Sequence, residues 1–173
     1  GHPIRLSVNF SRRQLEKAPE EIIGKVLRQT GMSASALQIE IPAAGVLEST
    51  EEVLPGLQRL KALGVHLSMD GYAGEGSLAD ISGLPLDSIK IDRLVVEKFH
   101  QAEDAEYISG LISAAMSKGL NVVAEGVETE PQMAFLRSRL CAQAQGYLFA
   151  RPAPAEEITQ LLDGPSSALG REG

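Results

Sequence analysis

The stretch Ile89-Lys90-Ile91-Asp92-Arg93 predicts a short β-strand, because apolar residues alternate with charged ones and the charges continue past its far end. Four other stretches repeat this arrangement of a short apolar strand with a polar side chain at or near its end. They are Val8-Asn9, Ile39-Glu40-Ile41, Leu67-Ser68-Met69-Asp70 and Val122-Val123-Ala124-Glu125. In a parallel α/β sheet or barrel the carboxyl ends of the strands lie on one face, where sites are built. We therefore expect the functional residues among these polar strand ends.

A helical pattern follows most of the predicted strands, which gives six strand-then-helix units at similar spacing. The predicted strands are residues 4–9, 36–41, 65–70, 88–92, 120–124 and 144–149. The predicted helices are residues 11–15, 19–30, 50–63, 78–84, 103–118, 130–140 and 154–162, and residues 71–76 form a glycine-rich loop. Repeated βα units predict parallel strands joined by right-handed crossovers. An open doubly wound sheet and a barrel both fit this pattern, but a closed barrel has eight strands and typically about 250 residues.

The composition is that of a globular protein with a core of its own. The chain has 173 residues, of which 43% are hydrophobic and 23% charged. The net charge of -7 disfavours a nucleic-acid partner. A single cysteine excludes an intramolecular disulfide and predicts a cytoplasmic setting. No apolar run is long enough to span a bilayer, so we expect no membrane contact by this segment. We expect one domain over residues 1–164 and a flexible tail over residues 165–173.

Longer stretches of the sequence resemble the EAL domain, the cyclic-di-GMP phosphodiesterase module of bacterial signalling proteins. The matching residues are 7–11, 14–15, 39–41, 63–65, 70, 84–87, 90–93, 122–129, 145–149 and 151–152. The most specific stretches are Val122-Val123-Ala124-Glu125-Gly126-Val127-Glu128-Thr129 and the segment from Gln145 to Pro152. The resemblance implies an α/β, TIM-barrel-like EAL fold with about six of its eight strand-helix units present. The first two barrel strands of the family, with the Glu-Ala-Leu word that names it, have no counterpart in this sequence.

The resemblance also implies roles for the polar strand ends. Family metal ligands correspond to Asn9, Glu40, Asp70 and Glu125. The catalytic positions are Lys90, which would orient the attacking water, and Glu125. The ligand-binding positions are Asn9, Asp92, Glu128, Gln145, Arg151 and Pro152. For Asp92 and Glu128 a structural role, as a helix cap or an ion-pair partner, stays open.

Three departures from the family pattern predict that hydrolysis is weak or absent. The metal-binding glutamate of the Glu-Ala-Leu word is missing. The family word Asp-Asp-Phe-Gly-Thr-Gly becomes Asp70-Gly71-Tyr72-Ala73-Gly74-Glu75, so that Gly71 replaces an aspartate. The word Glu-(Ile/Leu)-Thr-Glu-Ser becomes Glu40-Ile41-Pro42-Ala43-Ala44, so that Ala43 replaces a glutamate. Each loss removes negative charge that a pair of divalent cations would need.

We therefore expect a degenerate EAL domain in bacterial cyclic-di-GMP signalling, acting as a cyclic-di-GMP receptor or as a protein-interaction module without significant hydrolysis. The alternative is an active, metal-dependent cyclic-di-GMP phosphodiesterase. No cofactor is expected unless the domain is active, in which case Mg²⁺ or Mn²⁺ is required. An incomplete barrel leaves an open sheet edge, which predicts a homodimer or an upstream signalling domain as a partner.

Overall fold

The fold is a single six-stranded parallel sheet whose strands follow one another in chain order, β1-β2-β3-β4-β5-β6. A computed structural model describes residues 4–74, 81 and 83–163. The strands are β1 (Leu6–Asn9), β2 (Leu37–Pro42), β3 (His66–Tyr72), β4 (Ser88–Ile91), β5 (Asn121–Ala124) and β6 (Gln143–Ala144). The prediction of parallel βα units is confirmed, because each strand is hydrogen-bonded in parallel to the next.

Helices connect the strands, and most begin and end at the signals that the sequence carries. They are α1 (Arg12–Leu15), α2 (Pro19–Thr30), α3 (Ala43–Leu47), α4 (Thr50–Ala62), α5 (Arg93–Val96), α6 (Ala102–Ser117), α7 (Glu130–Ser138) and α8 (Ala155–Asp163). Pro19 starts α2, and Gly31 ends it with φ +69, a conformation that glycine adopts at low cost. A capping box between Thr129 and Gln132 satisfies free amides at the start of α7.

The two faces of the sheet differ in chemistry. The outward side chains, such as Ile39, Leu67 and Ile91, are buried in the apolar core beneath the helices. The inward face is polar, and the hydroxyl groups of Ser88 and Ser68 are hydrogen-bonded there at 2.8 Å. Both end strands of the sheet line one cavity of about 890 Å³, so the sheet curls and its two edges face each other. Its lining residues include Arg5, Ser7, Gln38, Glu40, Lys90, Val123, Ala144 and Gln145.

The predicted last strand is wrong in length. β6 contains only Gln143–Ala144, and residues 146–149 form turns instead of the predicted strand. The N–H of Leu148 donates to Val127 O at 3.0 Å and that of Phe149 to Gly146 O at 3.1 Å, so these amides are bonded outside the β5–β6 ladder. Gly146 lies against the backbone of Val127 with no room for a Cβ atom. This close approach, which only glycine permits, turns the chain out of the sheet.

Smaller differences concern short helices and strand ends. The sequence did not predict α3 and α5, which have five and four residues and show no periodic pattern. Gly71 and Tyr72, predicted to lie in a loop, extend β3, and the register between β3 and β4 is irregular between Met69 and Tyr72. Most of the predicted helix 78–84 and the predicted tail 165–173 lie outside the described residues. Within the described part of the chain, no helix is both long and apolar enough to cross a bilayer.

Replacement of Gly56 by alanine should destabilise the protein, because a Cβ atom there would collide with the backbone carbonyl of Leu15. We expect a loss of about 1–3 kcal/mol in the free energy of unfolding, the usual cost of overpacking. Gly110→Ala is the matched control, since Gly110 also lies inside a helix but has nothing within 4 Å of the position that a Cβ atom would take. The control should gain about 0.5–1 kcal/mol. Urea titration measures both, and equal stability of the two variants would contradict the packing of α1 on α4.

Candidate functional site

The ammonium group of Lys90 lies among three carboxylates at the carboxyl ends of four neighbouring strands. Its Nζ atom is 2.8 Å from Glu40 Oε2, 2.8 Å from Asp70 Oδ1 and 2.7 Å from Glu125 Oε1. The side chain of Lys90 is only 6% exposed and that of Glu40 only 9%, whereas Asp70 and Glu125 reach solvent more. We call these four side chains the Lys90 cluster. Three carboxylates against one ammonium leave it with a formal charge of -2.

Burial and ion pairing act in opposite directions on the pKa values of the Lys90 cluster. Burial disfavours the charged form of Lys90, but its contacts with Asp70, Glu125 and Glu40 outweigh burial and raise its pKa above the ordinary lysine value. Lys90 therefore stays protonated at neutral pH and cannot serve as a general base. Burial also opposes the ionisation of Glu40, yet Lys90 holds the pKa of this carboxyl below its usual range. Burial raises the pKa of Glu125, and the neighbouring carboxylates add to this effect.

Two residues that sequence reasoning missed support Glu40. Gln38 Nε2 donates to Glu40 Oε1 at 3.1 Å and to Ser7 Oγ at 3.2 Å. Glu40 Oε2 accepts from Lys90 Nζ at 2.8 Å, so both oxygens of this buried carboxylate have a donor. The period-2 alternation of strand side chains places Gln38 on the same face as Glu40. That spacing was the signal that could have identified Gln38.

The surroundings of Asp70 bear on whether a metal ion could be held. Asp70 Oδ1 is buried and, apart from the Lys90 ammonium, has no hydrogen-bond partner among the described residues. The next residue, Gly71, has φ +67 and has no side-chain oxygen that could serve as a ligand. A Cβ atom at this position would point toward Asp92 Oδ2, 3.8 Å away. Ala43, the other position where the family has an acid, is 2% exposed and packs in the apolar core. In the described part of the chain, no three carboxylate, imidazole or thiol side chains form a group that could hold a metal ion.

Asp92 and Glu128 have structural partners next to the Lys90 cluster. Asp92 Oδ1 accepts a hydrogen bond from the N–H of Leu94 at 2.7 Å and so caps α5. Glu128 Oε1 is 3.8 Å from Arg93 Nη1, and both side chains are exposed. The aliphatic part of Arg93 packs against Gly126, where a Cβ atom would not fit. Asp92 therefore acts as a helix cap, and Glu128 lies at ion-pair distance from Arg93. These are the two structural roles that the sequence analysis left open.

The remaining predicted residues are Asn9, Gln145, Arg151 and Pro152. Asn9 is paired with Glu40 in the register of β1 and β2. Gln145 lines the same cavity as Glu40 and Lys90, and its backbone N–H donates to Ala124 O at 2.8 Å. The guanidinium of Arg151 lies 4.5 Å from the centre of the Tyr147 ring, which is the geometry of a cation–π contact. Pro152 follows Arg151 and is exposed.

The structure thus brings four of the predicted residues into direct contact, Glu40, Asp70, Lys90 and Glu125. Gln145 lines the same cavity and Asn9 is paired with Glu40 in the sheet, whereas Asp92, Glu128, Arg151 and Pro152 have no contact with the Lys90 cluster among the described ion pairs and hydrogen bonds. Phe149, which also lines the cavity, was not a predicted site residue.

Six parallel βα units with acidic and basic side chains at the carboxyl ends of the strands define an α/β barrel-type domain with a charged site at its mouth. The chain belongs to the EAL domain family, whose sequence profile matches residues 1–152. The resemblance drawn from the sequence is therefore confirmed.

Comparison with known proteins gives the same family. The chain is 41% identical over 160 residues to an uncharacterized signaling protein of Caulobacter vibrioides, and the match covers 91% of this chain and 20% of that protein. It is 37% identical over 166 residues to the cyclic di-GMP phosphodiesterase NbdA of Pseudomonas aeruginosa, and the match covers 94% of this chain and 21% of NbdA. The solved structure of the PaMucR phosphodiesterase in complex with c-di-GMP superposes with a TM-score of 0.83 at 32% identity, over 89% of this chain and 64% of that one. The chain therefore spans about a fifth of the length of these two curated relatives.

Replacement of Lys90 by methionine should destabilise the protein strongly at neutral pH, because three close carboxylates would lose their cation. We expect a loss of about 3–5 kcal/mol, the usual cost of removing one partner of a buried ion pair. The loss should shrink as the pH falls, since the crowded carboxyls would bind protons more readily in the folded state than in the unfolded chain.

Urea unfolding near neutral pH and in mild acid measures this effect. Lys98→Met is the matched control, because Lys98 is exposed and should show little change at either pH. A Lys90→Met variant as stable as the wild type at neutral pH would show that the carboxylates do not depend on this ammonium.

Proposed function

We propose that this chain is a cyclic-di-GMP-binding regulatory domain with little or no phosphodiesterase activity. The single observation that carries the proposal is that Gly71 and the core residue Ala43 stand where the family has acids, which leaves three carboxylates around Lys90 in the Lys90 cluster. Membership of the EAL family supports cyclic di-GMP as the ligand, since the relative NbdA is named a cyclic di-GMP phosphodiesterase. The solved PaMucR structure contains c-di-GMP.

Charge balance supports the loss of two-metal chemistry. The formal charge of -2 on the Lys90 cluster can be balanced by one divalent cation, and a second would leave two uncompensated positive charges. Gly71 and Ala43 supply no further carboxylate, and Ala43 is buried in the core. The described residues therefore do not fit a pair of divalent cations, and no catalytic step through such a pair is derived for this chain. Loss of one member of a catalytic assembly usually costs orders of magnitude in rate.

The residues that remain suit recognition of a phosphodiester that carries purine bases. Arg151, exposed and stacked on Tyr147, offers a cation together with an aromatic face. Gln145 offers an amide at the cavity.

The second candidate function is an active, metal-dependent phosphodiesterase. Retention of Glu40, Asp70, Lys90 and Glu125 in one cluster favours it, as do the names of the relatives. A turnover assay with cyclic di-GMP and either Mg²⁺ or Mn²⁺ separates the two candidates. We expect no linear product, and steady multiple turnover would establish the enzyme and overturn the proposal.

Isothermal titration with cyclic di-GMP tests the binding half of the proposal. We expect a saturable binding curve that Arg151→Ala weakens by about tenfold, because a charged contact to the ligand is lost. Arg28→Ala is the matched control, since Arg28 is an exposed arginine on α2 and should bind as the wild type does. Absence of heat at high ligand concentration would remove the receptor function and leave a protein-interaction module.

The predicted homodimer or upstream domain stays a prediction, and exposed apolar side chains support it. Leu6 and Val8 on β1 are 54% and 37% exposed, and Ile22 and Val26 on α2 are 63% and 43% exposed. A partner that covers this side would bury them and pair the edge of β1. Light scattering on this chain should give the mass of a dimer if a second copy is that partner. A strictly monomeric species over a wide concentration range would contradict the homodimer.

A further inference from the structure

A second group of charged side chains lies at the opposite, amino-terminal end of the sheet, away from the Lys90 cluster. Lys61 Nζ on α4 is 2.5 Å and 2.6 Å from the two oxygens of Asp87, which precedes β4. Asp87 Oδ2 also accepts from the backbone N–H of Leu67 at 2.8 Å, and it lies 3.8 Å from His66 Nδ1. On the other side of the ring, Arg5 Nη2 is 3.1 Å from His66 Nε2. The proposed function uses none of these residues.

The contact between Arg5 and His66 requires a neutral imidazole. A guanidinium can only donate hydrogen bonds, so His66 Nε2 must be the acceptor. The proton of the neutral ring therefore sits on Nδ1, which faces the Asp87 carboxylate. Protonation of Nε2 would remove this acceptor and bring a second positive charge against Arg5.

The position of Arg5 gives this contact a structural consequence. Arg5 directly precedes β1, an end strand of the sheet that is paired only with β2. His66 begins β3, and β2 lies between β1 and β3 in the sheet. The hydrogen bond between Arg5 and His66 therefore spans β2 and joins an end strand to an interior strand. Arg5 also lines the large cavity, together with Ser7 of β1.

We propose that His66 is a pH-sensitive link that holds the start of β1 against the sheet when neutral and releases it when protonated. The groups that face His66 are Arg5 before β1, Lys61 on α4 and Asp87 before β4. Release of Arg5 would widen the cavity at its amino-terminal end and loosen the strand that carries Ser7, a partner of Gln38. The inference is independent of whether the chain binds cyclic di-GMP.

The direction of the pH effect follows from the environment of the ring. Burial lowers the pKa of His66 below its usual value, Arg5 and Lys61 lower it further, and Asp87 opposes them. The folded protein therefore binds this proton less readily than the unfolded chain. The stabilisation is complete above the ordinary imidazole pKa of 6.5 and is lost as the pH falls through that value toward the lower folded pKa.

Hydrogen exchange of the peptide that covers β1 tests the link on the intact chain. Protection factors, corrected for the intrinsic exchange rate, should fall by about threefold to tenfold between about pH 7.5 and about pH 5, the factor by which the loss of one net hydrogen bond shifts a local opening equilibrium. His66→Gln should abolish this pH dependence, because the glutamine carbonyl can accept from Arg5 but does not titrate. His100→Gln is the matched control, since His100 is exposed and should leave the fall unchanged.

A measurement on the unchanged protein guards against a His66 variant that folds poorly. Nitrogen-15 chemical shifts of the imidazole should show the Nδ1–H tautomer of His66 near pH 7.5. An Nε2–H tautomer there would overturn the proposal. Equal protection of β1 at both pH values, or a His66→Gln variant with the same fall as the wild type, would also overturn it.

Discussion

The contact of one buried ammonium with three carboxylates is the interaction on which the site depends. Carboxylates held this close repel one another, and Lys90 makes their arrangement tolerable by lying between them. The sheet creates this situation, because β2, β3, β4 and β5 are neighbours in chain order and end on the same side. Topology and electrostatics are thus coupled, since the fold concentrates negative charge and the lysine from β4 balances part of it.

Much of the fold follows from periodicity in the sequence. Alternating apolar positions located five of the six strands to within a few residues, and their parallel order followed from the helical patterns between them. β6 could not be located in this way, because residues 145–149 look like a strand and yet turn away where Gly146 meets the backbone of Val127. The short helices α3 and α5 depend on the chain direction after Pro42 and on the Asp92 cap, which local propensity does not reveal.

The candidate site shows a similar division. The polar strand ends identified Glu40, Asp70, Lys90 and Glu125, because parallel strands bring their carboxyl ends together. Sequence reasoning did not assign Gln38 as a partner of Glu40, because Gln38 lies in the middle of β2 and not at its end, although the period-2 spacing places both side chains on one face. Nor could it show that Asp92 caps a helix, because capping depends on backbone geometry. The site side chains at the strand ends were therefore easier to predict than the neighbouring groups that orient those side chains.

The threefold pairing of Lys90 has an evolutionary implication. Exchange of any one acid in the cluster for a neutral residue would still leave the ammonium with two anionic neighbours, so no isolated charge would remain in the interior. Such redundancy lets a lineage discard a carboxylate without endangering the folded state. The lysine has no comparable substitute, because the three acids share it, and we expect drift at this site to spare the base longer than the acids.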